Sequence, residues 1–251
     1  MKIVVIGGTG LIGSKLVTIL SSQGHEAIAA APNSGVNTVT GEGLAAALTG
    51  AQVIVDVSNS PSFEDQAVMD FFTTSTTNLL HHGAKAGVAH LVALSVVGAQ
   101  RLPESGYLRA KSAQENLITT GALPYTIVHA TQFFEFWQGI ADLATQGGQV
   151  HLAPVYVQPM AAEDVAKSVA QISVRPPLNA VAEFAGPDKL RLDEFIRRGL
   201  KAIGDPRKVI ADPNALYFGA RLSENSLIPE SDAHLSKTHF EDWLAQANRK
   251  C

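Results

Sequence analysis

The apolar run Ile3-Val4-Val5-Ile6 flows directly into Gly7-Gly8-Thr9-Gly10-Leu11-Ile12-Gly13, and this junction restricts the architecture more than any other stretch. A buried strand entering a glycine-rich turn and then a helix aims the helix's unsatisfied N–H groups, and its positive dipole end, at an anion. In that arrangement Gly7 allows the tight turn, Gly10 lets a pyrophosphate approach the backbone, and Gly13 lets the helix pack on the sheet. Thr9, Leu11 and Ile12 complete the expected cradle. Lys2–Ile6 reads as a strand and Leu11–Ser22 as a helix, with Leu16 and Leu20 on one face and Gly24 just past its end. The pattern is a fingerprint of dinucleotide binding.

Strand and helix patterns then alternate. His25–Ala30, Gln52–Val57, His90–Ser95 and Pro124–His129 read as strands, and Glu42–Thr49, Asp65–Lys85 and Tyr107–Thr120 as helices. Repeated βα units imply an α/β fold of the Rossmann type, a doubly wound parallel sheet with helices on both faces. After about residue 150 the pattern changes: Pro154–Gln158 and Val181–Ala185 look like short strands, and Ala161–Ser173 and Leu192–Ile203 like helices. The expected division is a dinucleotide-binding unit over residues 1–186 and a small substrate-side region over 187–251, where Tyr217 and Phe218 are candidates to line an apolar cavity.

Composition narrows the function classes. A length of 251 residues suits one large unit with a substantial core, and a net charge of −4 offers no basic footprint for nucleic acid. The single cysteine, Cys251, excludes an intrachain disulfide or a thiolate metal cluster and makes a poor nucleophile. His81 and His82 have no spaced carboxylate partner, so no metal is expected. The N-terminal apolar run is too short for a signal core and no stretch reaches spanning length, so the expectation is a cytoplasmic protein without a membrane partner, a monomer or small homo-oligomer.

A second constellation carries chemistry. Tyr107-Leu108-Arg109-Ala110-Lys111 places a phenol and an ammonium one helical turn apart on one face, and Ser95 ends the preceding apolar strand. A carbonyl that accepts a hydride develops negative charge on oxygen, so an acid must deliver a proton. A free phenol has a pKa near ~10, and a neighbouring ammonium favours the phenolate.

With Gly-Gly-Thr-Gly-x-x-Gly, Asn78-Leu79-Leu80, Ala86-Gly87-Val88 and Ala162-Glu163-Asp164-Val165-Ala166 in view, the chain resembles a short-chain dehydrogenase/reductase of the extended or atypical kind, near the NmrA-like branch. The similarity spans roughly the first 190 residues. The resemblance implies that Tyr107 is the acid/base, that Lys111 also holds the nicotinamide ribose, and that Ser95 steadies the substrate oxygen. It further implies that an acidic residue selecting NAD would stand at the end of the second strand, where this chain has Ala29-Ala30-Ala31. NADP is therefore favoured, with NAD possible; Asn33, Ser34 and Lys15 are the candidate donors to a 2′-phosphate. Gly41-Glu42 stands where relatives contact the adenine, although Glu42 also suits a helix N-terminus.

Ser58, Asn59 and Ser60 follow the fourth strand, at its carboxyl end, and are candidates for the cofactor's ribose and phosphates. Gln132 and Phe133 are candidates to touch the nicotinamide. His129 stands where relatives have arginine and reads as structural. Three functions fit these residues. The first is an NAD(P)(H)-dependent oxidoreductase acting on a small carbonyl or alcohol. The second is a non-catalytic NmrA-like cofactor sensor, disfavoured by the Tyr-x-x-x-Lys pair. The third is a sugar-nucleotide epimerase or dehydratase, disfavoured by the short chain and the missing acid.

Overall fold

The computed structural model describes residues 1–248; Cys251 lies outside them. The central sheet is built from β1 (Lys2–Ile6), β2 (Glu26–Ala30), β3 (Val53–Asp56), β4 (His90–Val96), β5 (Tyr125–Ala130), β6 (Ala180–Ala185) and β7 (His234–Leu235). Its order is β7-β6-β5-β4-β3-β1-β2, and every neighbouring pair is parallel. This is a Rossmann-type α/β sheet, with one departure. The common dinucleotide order carries three strands on the β1 side of the switch point, whereas here β2 is the edge. The segment between β2 and β3 holds only a single 3₁₀ turn (Pro32–Ser34) and the five-residue helix α2 (Leu44–Leu48), too little chain for a further strand and its crossover. The strand before Ser58 is therefore the third of this chain, not the fourth.

Helices cover both faces. The helix α1 (Leu11–Ser22) packs through Ile12, Leu16 and Leu20 against Val165, Ala166 and Val169 of α6 (Ala162–Ser173). The opposite face carries α2, α3 (Asp65–Ala86) and α4 (Gly106–Thr119), with Leu44, Leu79 and Ile118 buried against Val4, Ile54 and Ile127. Ser105 caps α4, its hydroxyl accepting from the Leu108 N–H, which fixes where that helix begins and so where Tyr107 points.

A third core lies beyond the carboxyl ends of the strands. It joins Phe134, Trp137 and Ile140 to Phe195, Ile196 and Phe240, and so unites α5 (Trp137–Leu143), α7 (Leu192–Ala202) and α8 (Phe240–Asn248). This body draws on residues near 134–157 as well as on the last quarter of the chain. Among the described residues no helix is long and apolar enough to cross a membrane.

Candidate active site

The glycine turn is held by sterics at three of its four glycines. Gly7 has φ +75°, and a Cβ there would sit 2.8 Å from the Ser58 Cα, so the turn closes against the strand next door. A Cβ at Gly8 would lie 2.6 Å from the Ala29 Cα, and one at Gly13 would collide with the Gly7 carbonyl oxygen. Gly10 differs. Its backbone is ordinary (φ −79°), and an added Cβ would meet only the Gly7 oxygen at 3.3 Å. A side chain at Gly10 would need the Gly7 carbonyl to give by only a few tenths of an ångström, a much milder conflict than at the other three glycines.

A continuous cavity of about 1280 Å³ runs from this turn across the carboxyl ends of the strands. Its wall brings together Gly7, Thr9, Gly10, Leu11, Ile12, Ser58, Asn59, Ser95, Tyr107, Lys111, Gln132 and Phe133, together with Tyr217 and Phe218. Gly13, Asn33, Ser34 and Ser60 do not line it. Gly13 is a packing glycine. Ser34 is turned inward, its hydroxyl donating to the Ala31 carbonyl at 2.9 Å and accepting from the Ala31 N–H. Asn33 accepts from the Thr9 hydroxyl at 3.4 Å, and Ser60 is buried, accepting from the Ser62 N–H. Lys15 lies elsewhere, pairing with Glu163 at 3.5 Å, and exposed Glu42 is outside the wall. At the end of β2 the wall is instead Ala30, Ala31, Pro32 and the neutral run Asn37-Thr38-Val39-Thr40, which sequence reasoning passed over.

The Tyr107–Lys111 pair occupies the far half. Burial pushes the Tyr107 phenol up to about 12, and its ring packs against Phe63 and Phe72 at centroid distances of 5.7 and 6.1 Å. The ammonium of Lys111 does not offset that burial. It donates to the Leu94 carbonyl at 2.9 Å and to Gln114 Oε1, and sits 4.4 Å from the centre of the Phe72 ring. Burial lowers the Lys111 pKa to about 8, against the opposing charges of Asp56 and Glu115. Asp56 is part of the same chain of contacts: it accepts from Gln114 Nε2 at 3.0 Å and from the Ser58 hydroxyl at 2.6 Å.

Ser95 also differs from its expected role. Its hydroxyl donates to Glu115, which in turn accepts from His129 Nε2 at 2.9 Å. His129 Nδ1 faces Glu183 at 3.4 Å, and Glu183 accepts from the Glu230 N–H at 2.6 Å. A histidine between two carboxylates must carry both ring protons to donate to both. Burial opposes that charge, but the hydrogen bonds and charges of Glu115 and Glu183 outweigh it and raise His129 to about 9. His129 is thus structural, as expected, and bridges β5 to α4 and β6. Glu115, Gln114 and Asp56 went unread in the sequence; their signal was three polar residues of α4, Lys111, Gln114 and Glu115, at i, i+3 and i+4 on the helix face turned toward the sheet.

Gln132 is the remaining polar group. It is buried at the end of β5, its Oε1 has no hydrogen-bond partner, and its side chain hydrogen-bonds the Tyr217 hydroxyl, opposing the rise in the Tyr217 pKa that burial drives. A buried acceptor without a donor costs free energy; this oxygen is covered from solvent, while other atoms of Gln132 line the cavity. The glycine turn and the continuous cavity beside it fit a bound dinucleotide.

Residues 7–176 match the family model described as NAD(P)H-binding. The chain belongs to the NAD(P)H-binding family. The sequence is 24% identical over 149 residues to the photosystem II assembly factor Ycf39 of Synechocystis sp., a match covering 54% of this chain and 46% of that one. The chain thus spans about half the length of the curated relatives it matches. Solved structures share the fold over nearly the whole chain. A short-chain dehydrogenase/reductase superfamily protein of Agrobacterium tumefaciens with bound NAD superposes with a TM-score of 0.74 at 15% identity, covering 99% of this chain and 97% of that one. WbmG of Bordetella bronchiseptica, in complex with NAD and UDP, gives 0.73 at 14% identity over 100% and 96%. The UDP-glucose 4-epimerase of Thermus thermophilus, in complex with NAD, gives 0.68 at 18% over 91% and 92%.

Proposed function

We propose that this NAD(P)H-binding protein is an oxidoreductase that reduces a carbonyl substrate to the alcohol, with Tyr107 as proton donor. The observation that carries the reading is the shared cavity: the glycine cradle, Tyr107, Lys111 and Gln132 all line one space. The cofactor supplies a hydride when bound. The turn residues Gly7, Thr9, Gly10, Leu11 and Ile12, with Ser58 and Asn59, hold its phosphates and ribose, and Gln132 and Phe133 hold its carboxamide end.

The pKa pattern favours reduction. A phenol raised to about 12 carries its proton throughout the neutral range, so Tyr107 is ready to donate and poorly suited to accept. Lys111, still protonated at neutral pH, serves the ribose hydroxyls by releasing one of its two internal partners, the Leu94 carbonyl or Gln114. Ser95, whose hydroxyl donates to Glu115, steadies the substrate oxygen only by turning that O–H from Glu115 to the substrate. NADP(H) is the preferred cofactor because no carboxylate repels a 2′-phosphate at the end of β2; the preference is small, since the wall there has no cation either.

One observation favours a second reading, a cofactor-binding protein without turnover: both Lys111 and Ser95 are held by internal partners. Two measurements separate the readings. Calorimetric titration with NADPH and NADH tests the cradle, and NADPH consumption against a panel of carbonyl compounds tests the chemistry. Binding without consumption of NADPH on any of them would favour the sensor.

A further inference from the structure

We propose that the substrate is a neutral, largely apolar carbonyl compound, a long-chain or aryl aldehyde or ketone, and not a phosphorylated or nucleotide-linked one. This rests on the oxidoreductase reading above and names the substrate of the same site.

The first observation is an aromatic collar. Three ring pairs, each from a different loop, surround the Tyr107 half of the cavity. Phe63 packs on Tyr107 after β3, Phe133 stacks on Phe136 at 5.4 Å after β5, and Tyr217 meets Phe218 edge-on at 4.8 Å from the distal region. Three of these rings are open to solvent, Phe63 at 59%, Phe136 at 51% and Phe218 at 44% exposure, beside Leu143 at 75%. Single exposed apolar residues are ordinary, but a contiguous group around a cavity mouth marks a binding surface.

The second observation is a backbone strain located at this collar. Phe218 has φ +47° and Gly219 has φ +84°, so they are the two central residues of a hairpin turn between Leu216–Tyr217 and Ala220–Arg221. Such a turn suits Asn-Gly, and a left-handed conformation costs a bulky residue about 1–2 kcal/mol. A phenylalanine kept there at that cost presents its ring to the cavity instead of to a core.

The third observation is charge. Among the described residues lining the cavity, only Lys111 and Glu135 are charged. Lys111 is committed to Leu94 and Gln114, and Glu135 accepts from the Ala162 N–H at 2.9 Å. Nearby guanidinium groups are spent outside the cavity, Arg109 on Asp65 and Arg101 on Glu230. A diphosphate in the substrate half would find no cation, while the start of α1 is taken by the cofactor's own pyrophosphate. The remaining polar groups of this half are uncharged, among them Ser95, Gln132, Gln138 and the Tyr107 and Tyr217 hydroxyls, and suit a neutral carbonyl oxygen. In the reaction the carbonyl carbon gains the hydride, the C=O π pair moves to oxygen, and that oxygen takes the Tyr107 proton, which solvent restores; the products are the alcohol and the oxidised cofactor.

The test uses the full chain and the straight-chain aldehydes from butanal to decanal, their ω-carboxylate analogues and UDP-glucose. In parallel, calorimetry measures binding of the unreactive n-alkyl amides to NADP-loaded protein. Each added methylene should raise kcat/KM, and tighten amide binding, about three- to fourfold, the factor equivalent to about 0.8 kcal/mol per buried CH₂. The charged compounds should be the poorest ligands. Phe218→Asn should raise the melting midpoint by ~2–4 °C by relaxing the turn, yet flatten the chain-length series; a merely structural ring would do neither. A flat series, a preference for the carboxylates or UDP-glucose, or a destabilised Phe218→Asn with an unchanged series overturns the proposal. Amides that bind with the expected increments while no aldehyde is reduced would leave the ligand class standing and remove the catalytic reading. Aldehydes reduced without chain-length dependence would do the reverse, and neither binding nor reduction would remove both.

Discussion

Replacing His129 by leucine probes the buried chain that runs from Ser95 to Glu183. The substitution keeps an apolar side chain in the space but leaves Glu115, which is fully enclosed, and Glu183 facing each other without the imidazolium between them. A His129 pKa raised from 6.5 to about 9 corresponds, at about 1.4 kcal/mol per tenfold change, to about 3 kcal/mol of folding stability. That agrees with the ~3–5 kcal/mol seen when one partner of a buried ion pair is removed. For a chain of this size it is a fall of about 6–12 °C in melting midpoint. The sign of the pH dependence follows from the direction of the shift. Because the folded pKa lies above the unfolded one, the stabilisation is complete below pH 6.5 and fades as pH climbs through about 9. The carboxylates act oppositely: Glu115 and Glu183 are held below their ordinary value of 4.5, so their share is lost only as the solution becomes more acidic. Lys111 and Arg101 are the cations that face these carboxylates. Lys111, lowered to about 8, makes the fold gain stability at high pH, but wild type and variant share that slope and it cancels in their difference. Denaturant melts of both proteins from pH 6 to 9.5 should therefore show a gap near 3 kcal/mol that narrows with rising pH. A gap under ~1 kcal/mol, or one that stays constant across the range, would refute the charged bridge.

Tyr107→Phe should keep the fold and cofactor affinity and lower turnover by about a hundred- to ten-thousand-fold, measured at steady state with the best aldehyde of the series. Gly13→Ala, whose Cβ collides with the Gly7 carbonyl, should cost about 1–3 kcal/mol of stability, whereas Gly10→Val should cost less than that while abolishing calorimetric binding of NADPH. Lys111→Met should weaken NADPH binding by ~10- to 100-fold, the worth of a charge-assisted hydrogen bond. In wild type the same affinity should fall as pH rises past about 8, and in the variant it should be flat.

Features set by a residue's immediate neighbours were legible in the sequence. The helix Leu11–Ser22 is delimited by its own glycines, and Tyr107, Ser95 and Gln132 sit at strand and helix ends that hydrophobic periodicity locates well. What periodicity cannot show is where a long polar side chain finds its partner. Lys15 reaches Glu163 across the packed helices, and Lys111 reaches a carbonyl 17 residues upstream. The Tyr107 pKa follows from that choice, since an ammonium spent on Leu94 and Gln114 leaves burial unopposed. Ser34 was lost to a local competition of the same kind, its hydroxyl closing its own turn. The distal elements α5 and α8 were missed because their hydrophobic faces serve a separate core assembled from distant segments. The Gly147-Gly148 hairpin that joins Thr145–Gln146 to Gln149–Leu152 was a signal available but not used.

The edge strand His234–Leu235 changes what motion this protein permits. The distal body leaves the sheet after β6 and returns to it at β7, where Ser236 N donates to the Ala185 carbonyl at 2.8 Å and His239 pairs with Asp188 at 2.7 Å. It is tethered at both ends to adjacent strands of one sheet. Swinging it outward as a rigid lid would tear out an edge strand, a local unfolding event and not a hinge rotation. The exposed rings at the cavity mouth sit on three separate segments, Phe63 after β3, Phe136 after β5 and Phe218 in its hairpin turn. Widening the mouth by rotating those side chains would leave the clamped frame intact.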